Sequence, residues 1–164
     1  MSVLSKLVRG VGIGLVFVVF AMILYPHFAK VYQDRYSSPL PQIKQNALAL
    51  LAYANDHDEK MPDRDVWMDR VSPYLNSEES LHAPEIVALG NPGLYGFAFN
   101  SSLSGRAVSG DAAGTPLVYD SVNLARNASD PYLSLPYPGR RDGKDGVAFA
   151  DGHVGSVVPD VPHR

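Results

Sequence analysis

The chain has 164 residues and a net charge of −3, with a pI near 5.9. This length suits one domain, or one modest domain with an appendage. Without a basic excess, general nucleic-acid binding is disfavoured, because a phosphate backbone must be neutralised by cations. The absence of cysteine excludes thiol nucleophiles, zinc–thiolate sites and disulfide scaffolds. A hydrophobic content of 46% excludes a largely disordered chain, and the apolar residues at the start form a single block.

The first predicted element is a membrane helix. Residues 10–25 read GVGIGLVFVVFAMILY, without a charged side chain, and span roughly 24 Å as a helix, against ~30 Å for a hydrocarbon core. Further apolar residues extend this segment, and Arg9 and Lys30 are placed to snorkel at its two ends. We predict an uncleaved transmembrane helix over residues 7–29. The alternative is a cleaved signal peptide, for which Lys6 and Arg9 would form the basic start.

Two features of this segment concern its orientation and its neighbours. The Lys and Arg residues of the two flanks are nearly balanced, and the shortness of the preceding flank favours a cytoplasmic N-terminus with an exported C-terminal domain. Gly10 and Gly14 form a GxxxG pattern, which lets a second membrane helix approach closely. The expected partners are therefore the lipid bilayer and other integral membrane proteins.

A proline-rich stretch separates the membrane segment from the rest. Residues 37–41 predict a hinge, because two close prolines cannot lie inside a straight helix, although they suit the first turn of a new one. In residues 42–57 apolar side chains recur three or four apart, which predicts an amphipathic helix. A second, short helix is predicted over residues 66–75. The domains are thus an anchor and stalk over 1–36, the hinge, and a globular domain over 42–164.

The second half of the chain is strand-like. Residues 95–99 alternate large aromatic and small side chains, which gives a strand one bulky and one thin face. Residues 115–119 predict another strand, in which Pro116 suits the first position. Residues 105–114 and 126–145 are predicted to be loops.

The clearest predicted strand pair is a C-terminal hairpin. Two short apolar runs flank Asp151-Gly152, a dipeptide typical of a two-residue turn. That turn would oppose Phe149 to Val154, so that one face of the hairpin is again large and the other thin. Two thin faces in one sheet would let the amphipathic helix pack closely on it.

Two segments carry a family resemblance: NALALLAYANDHDE at residues 46–59 and FADGHV at residues 149–154. With the features around them, from about residue 23 to residue 158, the chain resembles bacterial prepilin-like, pseudopilin-related proteins with a C-terminal H-x9-DG signature, the DUF1559 type. The resemblance implies an α+β, pilin-like fold. In that fold an N-terminal transmembrane helix and stalk lead to a helix packed on a small antiparallel β-sheet with a C-terminal Asp-Gly hairpin.

The chain also departs from this family. The region of the family's Gly-Phe-Thr-Leu-Ile-Glu processing site is residues 12–17, which hold no acidic residue. Arg141 stands in place of the signature histidine, and the family cysteines are replaced by Pro39 and by residues 82–84. In pilins the missing carboxylate is thought to pair with a neighbouring subunit's amino terminus. The resemblance therefore supports the fold, and self-assembly into filaments is disfavoured.

Asp142, Asp145 and Asp151 are the candidate metal ligands. Carboxylates on loops suit Ca²⁺, and some pseudopilins hold calcium in a C-terminal loop. The spacing does not fit an EF-hand and Asp-Gly pairs form turns, so turn formation is the preferred interpretation over metal binding. His57 is interpreted as part of a solvated helix end and His27 as an interface anchor, with metal or partner binding as the alternative for each.

Four aromatic side chains, Trp67, Tyr95, Phe97 and Phe99, are predicted to lie in the core rather than to form a ligand site. The sequence holds no Gly-x-Ser-x-Gly elbow, P-loop or HExxH motif. We therefore expect no catalytic residues, no cofactor and no enzyme activity.

These patterns together predict a non-enzymatic, single-span protein of the bacterial inner membrane with a periplasmic, pilin-like domain. We expect it to be an accessory or structural subunit of an inner-membrane protein complex. Two alternatives stay open. One is a minor pilin or pseudopilin of a type II secretion or type IV pilus-like system, and the other is a calcium- or small-ligand-binding surface module.

Overall fold

The structure is a computed structural model that describes residues 40–131 and 134–160. The predicted membrane helix over 7–29, with its glycine pair, lies outside these residues, as do His27 and most of the predicted hinge at 37–41. Within the described ranges, no helix has the length and apolar character that crossing a membrane requires.

The first described element is helix α1, Leu40–Asp56. It begins two residues before the predicted start and has Pro41 in its first turn, where the missing N–H costs no helical hydrogen bond. The predicted amphipathic pattern is confirmed, because Lys44 and Asn55 are exposed while the apolar stripe is buried. The buried stripe consists of Ile43, Ala47, Leu50 and Ala54.

Short helical turns connect α1 to the sheet. Helix α2, Trp67–Val71, continues into a 3₁₀ turn at Ser72–Tyr74, which confirms the short helix predicted over 66–75. Helix α3, Pro84–Val87, begins with a proline, a residue favoured at the first helical position. The remaining 3₁₀ turns are Glu78–Leu81 and Ser101–Leu103.

Five strands form one mixed sheet in the order β3-β1-β2-β4-β5. They are β1 Phe97–Asn100, β2 Pro116–Asp120, β3 Ser129–Asp130, β4 Asp145–Phe149 and β5 Val154–Val157. Strands β1, β2, β4 and β5 pair antiparallel, whereas β3 pairs in parallel with β1. The α+β class is confirmed, but the prediction of a purely antiparallel sheet is wrong. The two-residue β3 lies in the predicted loop 126–145 and is too short to carry an alternating pattern.

The main core lies between α1 and one face of the sheet. Trp67, Phe97 and Phe99 are fully buried there, and Tyr95 is 9% exposed, so all four aromatic side chains lie in the core as predicted. Helix α1 lies over β2, β4 and β5, and β4 presents the small Ala148 to the same core. The prediction that a strand presents small side chains to the helix therefore holds for β4. Strand β1 differs, because its large aromatic side chains point into the core.

The hairpin between β4 and β5 differs from the prediction by one residue. Val154 pairs with Ala148, not with Phe149. The Gly152 N–H donates to the Phe149 carbonyl at 2.9 Å and the Phe149 N–H donates to the His153 carbonyl at 3.0 Å, so the turn holds three residues. Gly152 has φ +87°, as expected for the left-handed glycine that closes a three-residue hairpin loop.

Candidate functional site

Charged side chains lie in the interior where β2 ends and β4 begins. Asp120, the last residue of β2, is fully buried, and Asp145, the first residue of β4, is 1% exposed. Arg140 and Arg141 approach from the preceding loop, and Glu85 approaches from α3. We call these five residues the Arg141 cluster, because Arg141 binds two of its three carboxylates.

A tight turn places the two arginines. The Arg141 N–H donates to the Lys144 carbonyl at 3.1 Å, and the Lys144 N–H donates back to the Arg141 carbonyl at 2.9 Å. Asp142 and Gly143 lie between them with φ values of 49° and 78°. Two central residues with positive φ form the two-residue turn that Asp-Gly favours. The turn fixes Arg141 just before β4, beside the end of β2.

The guanidinium of Arg141 bridges two carboxylates. It donates from Nε and Nη2 to the two oxygens of Glu85 at 2.6 and 2.8 Å. It also donates from Nη1 and Nη2 to the two oxygens of Asp120 at 2.6 and 3.2 Å. Burial acts to lower the pKa of Arg141, but these charge-assisted bonds outweigh it and raise that pKa. Arg141 therefore stays charged and joins α3 to β2.

Arg140 is held mainly by main-chain carbonyls. Its guanidinium donates to the Gly96 carbonyl at 2.9 Å and to the Ser121 carbonyl, and lies 3.5 Å from Asp120. Burial lowers the pKa of Arg140, and the charge of Asp120 opposes that effect. Gly96 has φ +91°, and a Cβ there would lie 2.7 Å from Cγ1 of Ile86, so the close approach requires glycine.

Asp120 and Asp145 differ in how many hydrogen bonds their carboxylates accept. Asp120 also accepts the Gly146 N–H at 2.6 Å. Asp145 accepts the Arg140 N–H at 3.0 Å through Oδ1, while its Oδ2 is buried without a hydrogen-bond partner. Burial raises the pKa of Asp145, and the neighbouring negative charge of Asp120 adds to that effect. Asp145 is therefore the least compensated charge of the cluster.

The Arg141 cluster acts as a structural clamp, meaning that its ion pairs and hydrogen bonds hold separate elements of the fold together. Both guanidiniums donate to protein acceptors, and the carboxylates of Glu85 and Asp120 accept from them. The bonds tie α3, the end of β2 and the start of β4 together. The arrangement fixes the surface formed by these elements.

A second arginine cluster lies at the surface. Arg126 donates to Asp69 at 2.9 and 2.7 Å and to the Tyr95 hydroxyl at 2.7 Å, with Glu78 at 3.6 Å. The Asn127 amide donates to Asp69 at 2.6 Å, and this bond, followed by that from Arg126, lowers the pKa of Asp69. The hydrogen bonds to Tyr95 and Asp69 raise the pKa of Arg126. We call these residues the Arg126 cluster.

The predicted metal-ligand candidates occupy three different settings. Asp142 is exposed in its turn, Asp145 is buried in the Arg141 cluster, and Asp151 is exposed and accepts the N–H of His153 at 3.0 Å. In the described part of the chain, no three His, Asp or Glu side chains are grouped so that they would hold a metal ion. The structure therefore places these aspartates in turn and clamp contacts.

The remaining predicted residues lie outside the Arg141 cluster. His57 is exposed at the end of α1, where its ring stacks on Tyr53 at 3.8 Å. Asp151 and Gly152 form the β4–β5 turn, as predicted apart from its length.

Sequence reasoning missed three members of the clamp: Glu85, Asp120 and Arg140. A carboxylate directly after an apolar strand is a usable signal for Asp120, since burying an acid requires a partner. The adjacent arginines before the next apolar strand are the matching signal. No family model, curated protein or solved structure matches the chain.

Proposed function

We propose that this chain is a non-enzymatic, single-span accessory subunit of a bacterial inner-membrane protein complex. Residues 7–29 would be its anchor, and residues 42–164 would form a pilin-like domain outside the membrane. The observation that carries the proposal is the position of α1. This helix begins within the proline-rich segment and lies over one face of a small sheet, the arrangement that the H-x9-DG resemblance implies.

The Arg141 cluster supports a docking role over a reactive one. Arg141 stands at the signature position, and its guanidinium is fully engaged by Glu85 and Asp120. A domain whose buried charges bind one another presents a fixed surface to a partner.

The membrane segment supports a complex over a filament. Residues 12–17 lack the acidic residue through which pilin subunits are thought to pair, whereas Gly10 and Gly14 would let another membrane helix pack closely if this segment is helical. The proposal therefore places the partners beside the anchor in the bilayer as well as outside it.

The test is co-purification of the full chain, tagged at its C-terminus, from membranes in a mild detergent. We expect other integral membrane proteins to co-purify with it in fixed ratio. The double variant Gly10→Leu/Gly14→Leu should lose them, because leucine keeps helices apart. The matched control Gly12→Leu, which leaves the GxxxG pair intact, should retain them.

Two results would overturn this proposal. A cleaved, N-methylated terminus together with recovery in sheared filaments would instead identify a minor pilin. Thermal stabilisation of the full chain by calcium, lost in the exposed-site variant Asp142→Ala, would instead identify a ligand-binding module. An intact N-terminus with bound membrane proteins supports the accessory subunit.

A further inference from the structure

Strand β5 lies at an edge of the sheet, with β4 on one side and no strand of the described chain on the other. The hydrogen bond from the Phe149 N–H to the His153 carbonyl shows which residues of β5 direct their backbone N–H and C=O groups toward β4. Along an antiparallel strand, successive residues direct their backbone groups alternately toward and away from the neighbouring strand. Gly155 and Val157 therefore bond to β4, while the N–H and C=O groups of Val154 and Ser156 point away from it. These outward groups make no hydrogen bond with any described residue.

This edge carries only one of the usual protections against pairing, a length of four residues. Native edge strands are also protected by a lysine, a proline or a bulge that prevents another strand from adding. Strand β5 reads Val-Gly-Ser-Val, has no charge or proline, and pairs with β4 over four consecutive residues without a register shift. Ser156 is exposed at its centre. Within the described residues, the outward backbone groups of β5 are thus open to one more strand.

We propose that a second copy of this chain occupies the edge, with the two β5 strands antiparallel about a twofold axis at Ser156. In that register each Ser156 opposes the other Ser156, and each Val154 opposes the second copy's Val158. Val158 is 65% exposed, whereas Val154 already packs against the main core. The pairing would therefore cover an exposed apolar side chain on each copy.

The chemistry of the edge favours a second copy over an unrelated strand. An isologous contact requires a surface that is complementary to itself. Here valine opposes valine, hydroxyl opposes hydroxyl, and His153 opposes Pro159, so no like charges meet. Leu48 is 50% exposed and lies beside Gly152 on the same face, so the two α1 helices would flank the joined sheet with apolar side chains.

The absence of cysteine allows a direct test, because Ser156→Cys would be the only thiol of the full chain. Two residues opposed in a hydrogen-bonded antiparallel pair have Cα atoms about 5.5 Å apart, within disulfide range. After mild oxidation in native membranes, we expect Ser156→Cys to give a disulfide-linked dimer. Ser109→Cys, an exposed serine in a loop, is the matched control and should remain monomeric.

A mixed experiment tests the register. Val154→Cys and Val158→Cys, carrying different tags and expressed together, should cross-link to each other. Each variant alone should not, because like positions would lie four residues apart along the strand, roughly 13 Å, beyond disulfide reach.

A charge variant separates pairing from folding. Ser156→Lys places a cation on an exposed position and should abolish a dimer measured by light scattering in detergent, while the monomer keeps a cooperative unfolding transition. Three results would overturn the proposal. They are equal cross-linking of Ser156→Cys and Ser109→Cys, a Ser156→Cys disulfide formed only with a different protein, and a dimer that survives Ser156→Lys. None of these measurements depends on the identity of a membrane complex.

Discussion

Two arginines of this domain each bind a carboxylate at two points, one in the interior and one at the surface. Arg141 contacts Asp120 at 2.6 Å, with side chains 18% and 0% exposed. Arg126 contacts Asp69 at 2.7 Å, with side chains 38% and 45% exposed. The distances are nearly equal, so they do not distinguish the two pairs.

Burial is what distinguishes them. At the surface, water screens the attraction and two flexible side chains must be ordered, so an exposed pair contributes below about 1 kcal/mol. In the interior, removing one partner leaves the other charge without water or counter-charge, which costs about 3–5 kcal/mol. The comparison predicts that the clamp, and not the surface pair, determines whether the sheet end and α3 stay together.

The largest effect is expected for Asp120→Asn. The amide keeps the shape but removes the charge that compensates Arg141 and Arg140, so we expect a loss of about 3 kcal/mol in the free energy of unfolding. Denaturant unfolding of the full chain in detergent measures it, with Trp67 as the probe. Trp67 is the single tryptophan, and it is fully buried and bonded to the Ala128 carbonyl at 2.8 Å. A loss no greater than that of Asp69→Asn would contradict the comparison.

A loss of about the same size, ~3 kcal/mol, is expected for Arg141→His, which removes the guanidinium that binds two buried carboxylates. An imidazole has two ring nitrogens and cannot bind Glu85 and Asp120 at two points each, as the guanidinium does. Arg141→Lys is the control, because it keeps the charge and loses only the fork geometry. Unfolding curves should rank wild type first, lysine second and histidine last. Equal stability of the histidine variant and wild type would show that the clamp does not depend on the guanidinium.

The elements with local signals were predictable from the sequence, and the turn lengths were not. The spacing of Ile43, Ala47 and Leu50 marks one helix face whatever surrounds it. Asp-Gly, by contrast, occurs in both C-terminal turns with different outcomes. At Asp142-Gly143 it forms the two-residue turn, and at Asp151-Gly152 it forms part of a three-residue turn. The dipeptide supplies positive φ in both places, and the register is set by how the flanking strands pack.

The clamp depends on contacts that no local pattern encodes. Glu85 and Arg141 lie 56 positions apart, and Asp120 and Arg141 lie 21 apart. No pattern around Arg141 in the sequence indicates either of these partners. Its partners follow from the sheet order, which places the end of β2 beside the start of β4. A charged site whose residues are distant in sequence can therefore be identified only when the strand order is known.

The variant Asp145→Asn removes a charge from the same cluster, but it is expected to stabilise the domain rather than destabilise it. Burial raises the pKa of Asp145 above its usual 3.8, so its contribution to stability is present at low pH and is lost as the pH rises through the folded-state pKa. Removing the charge should therefore stabilise the domain near neutral pH, and the gain over wild type should vanish below about pH 4. Thermal unfolding of both proteins across this range measures it. A variant less stable than wild type at neutral pH would mean that Asp145 is needed as an anion.

The smallest effect is expected for Asp69→Asn, which removes the charge from the Arg126 cluster. Water remains around both partners, so the loss should be below about 1 kcal/mol and should fall further as salt is added. Hydrogen bonds from Asn127 and Arg126 lower the pKa of Asp69, so its contribution is present above about pH 4 and is lost as the pH falls through the folded-state pKa. Thermal unfolding at low and high salt measures it, with Asp120→Asn as the salt-insensitive counterpart. A loss as large as that of Asp120→Asn would mean that contact distance outweighs burial, because the shortest nitrogen–oxygen distance is nearly the same in the two pairs.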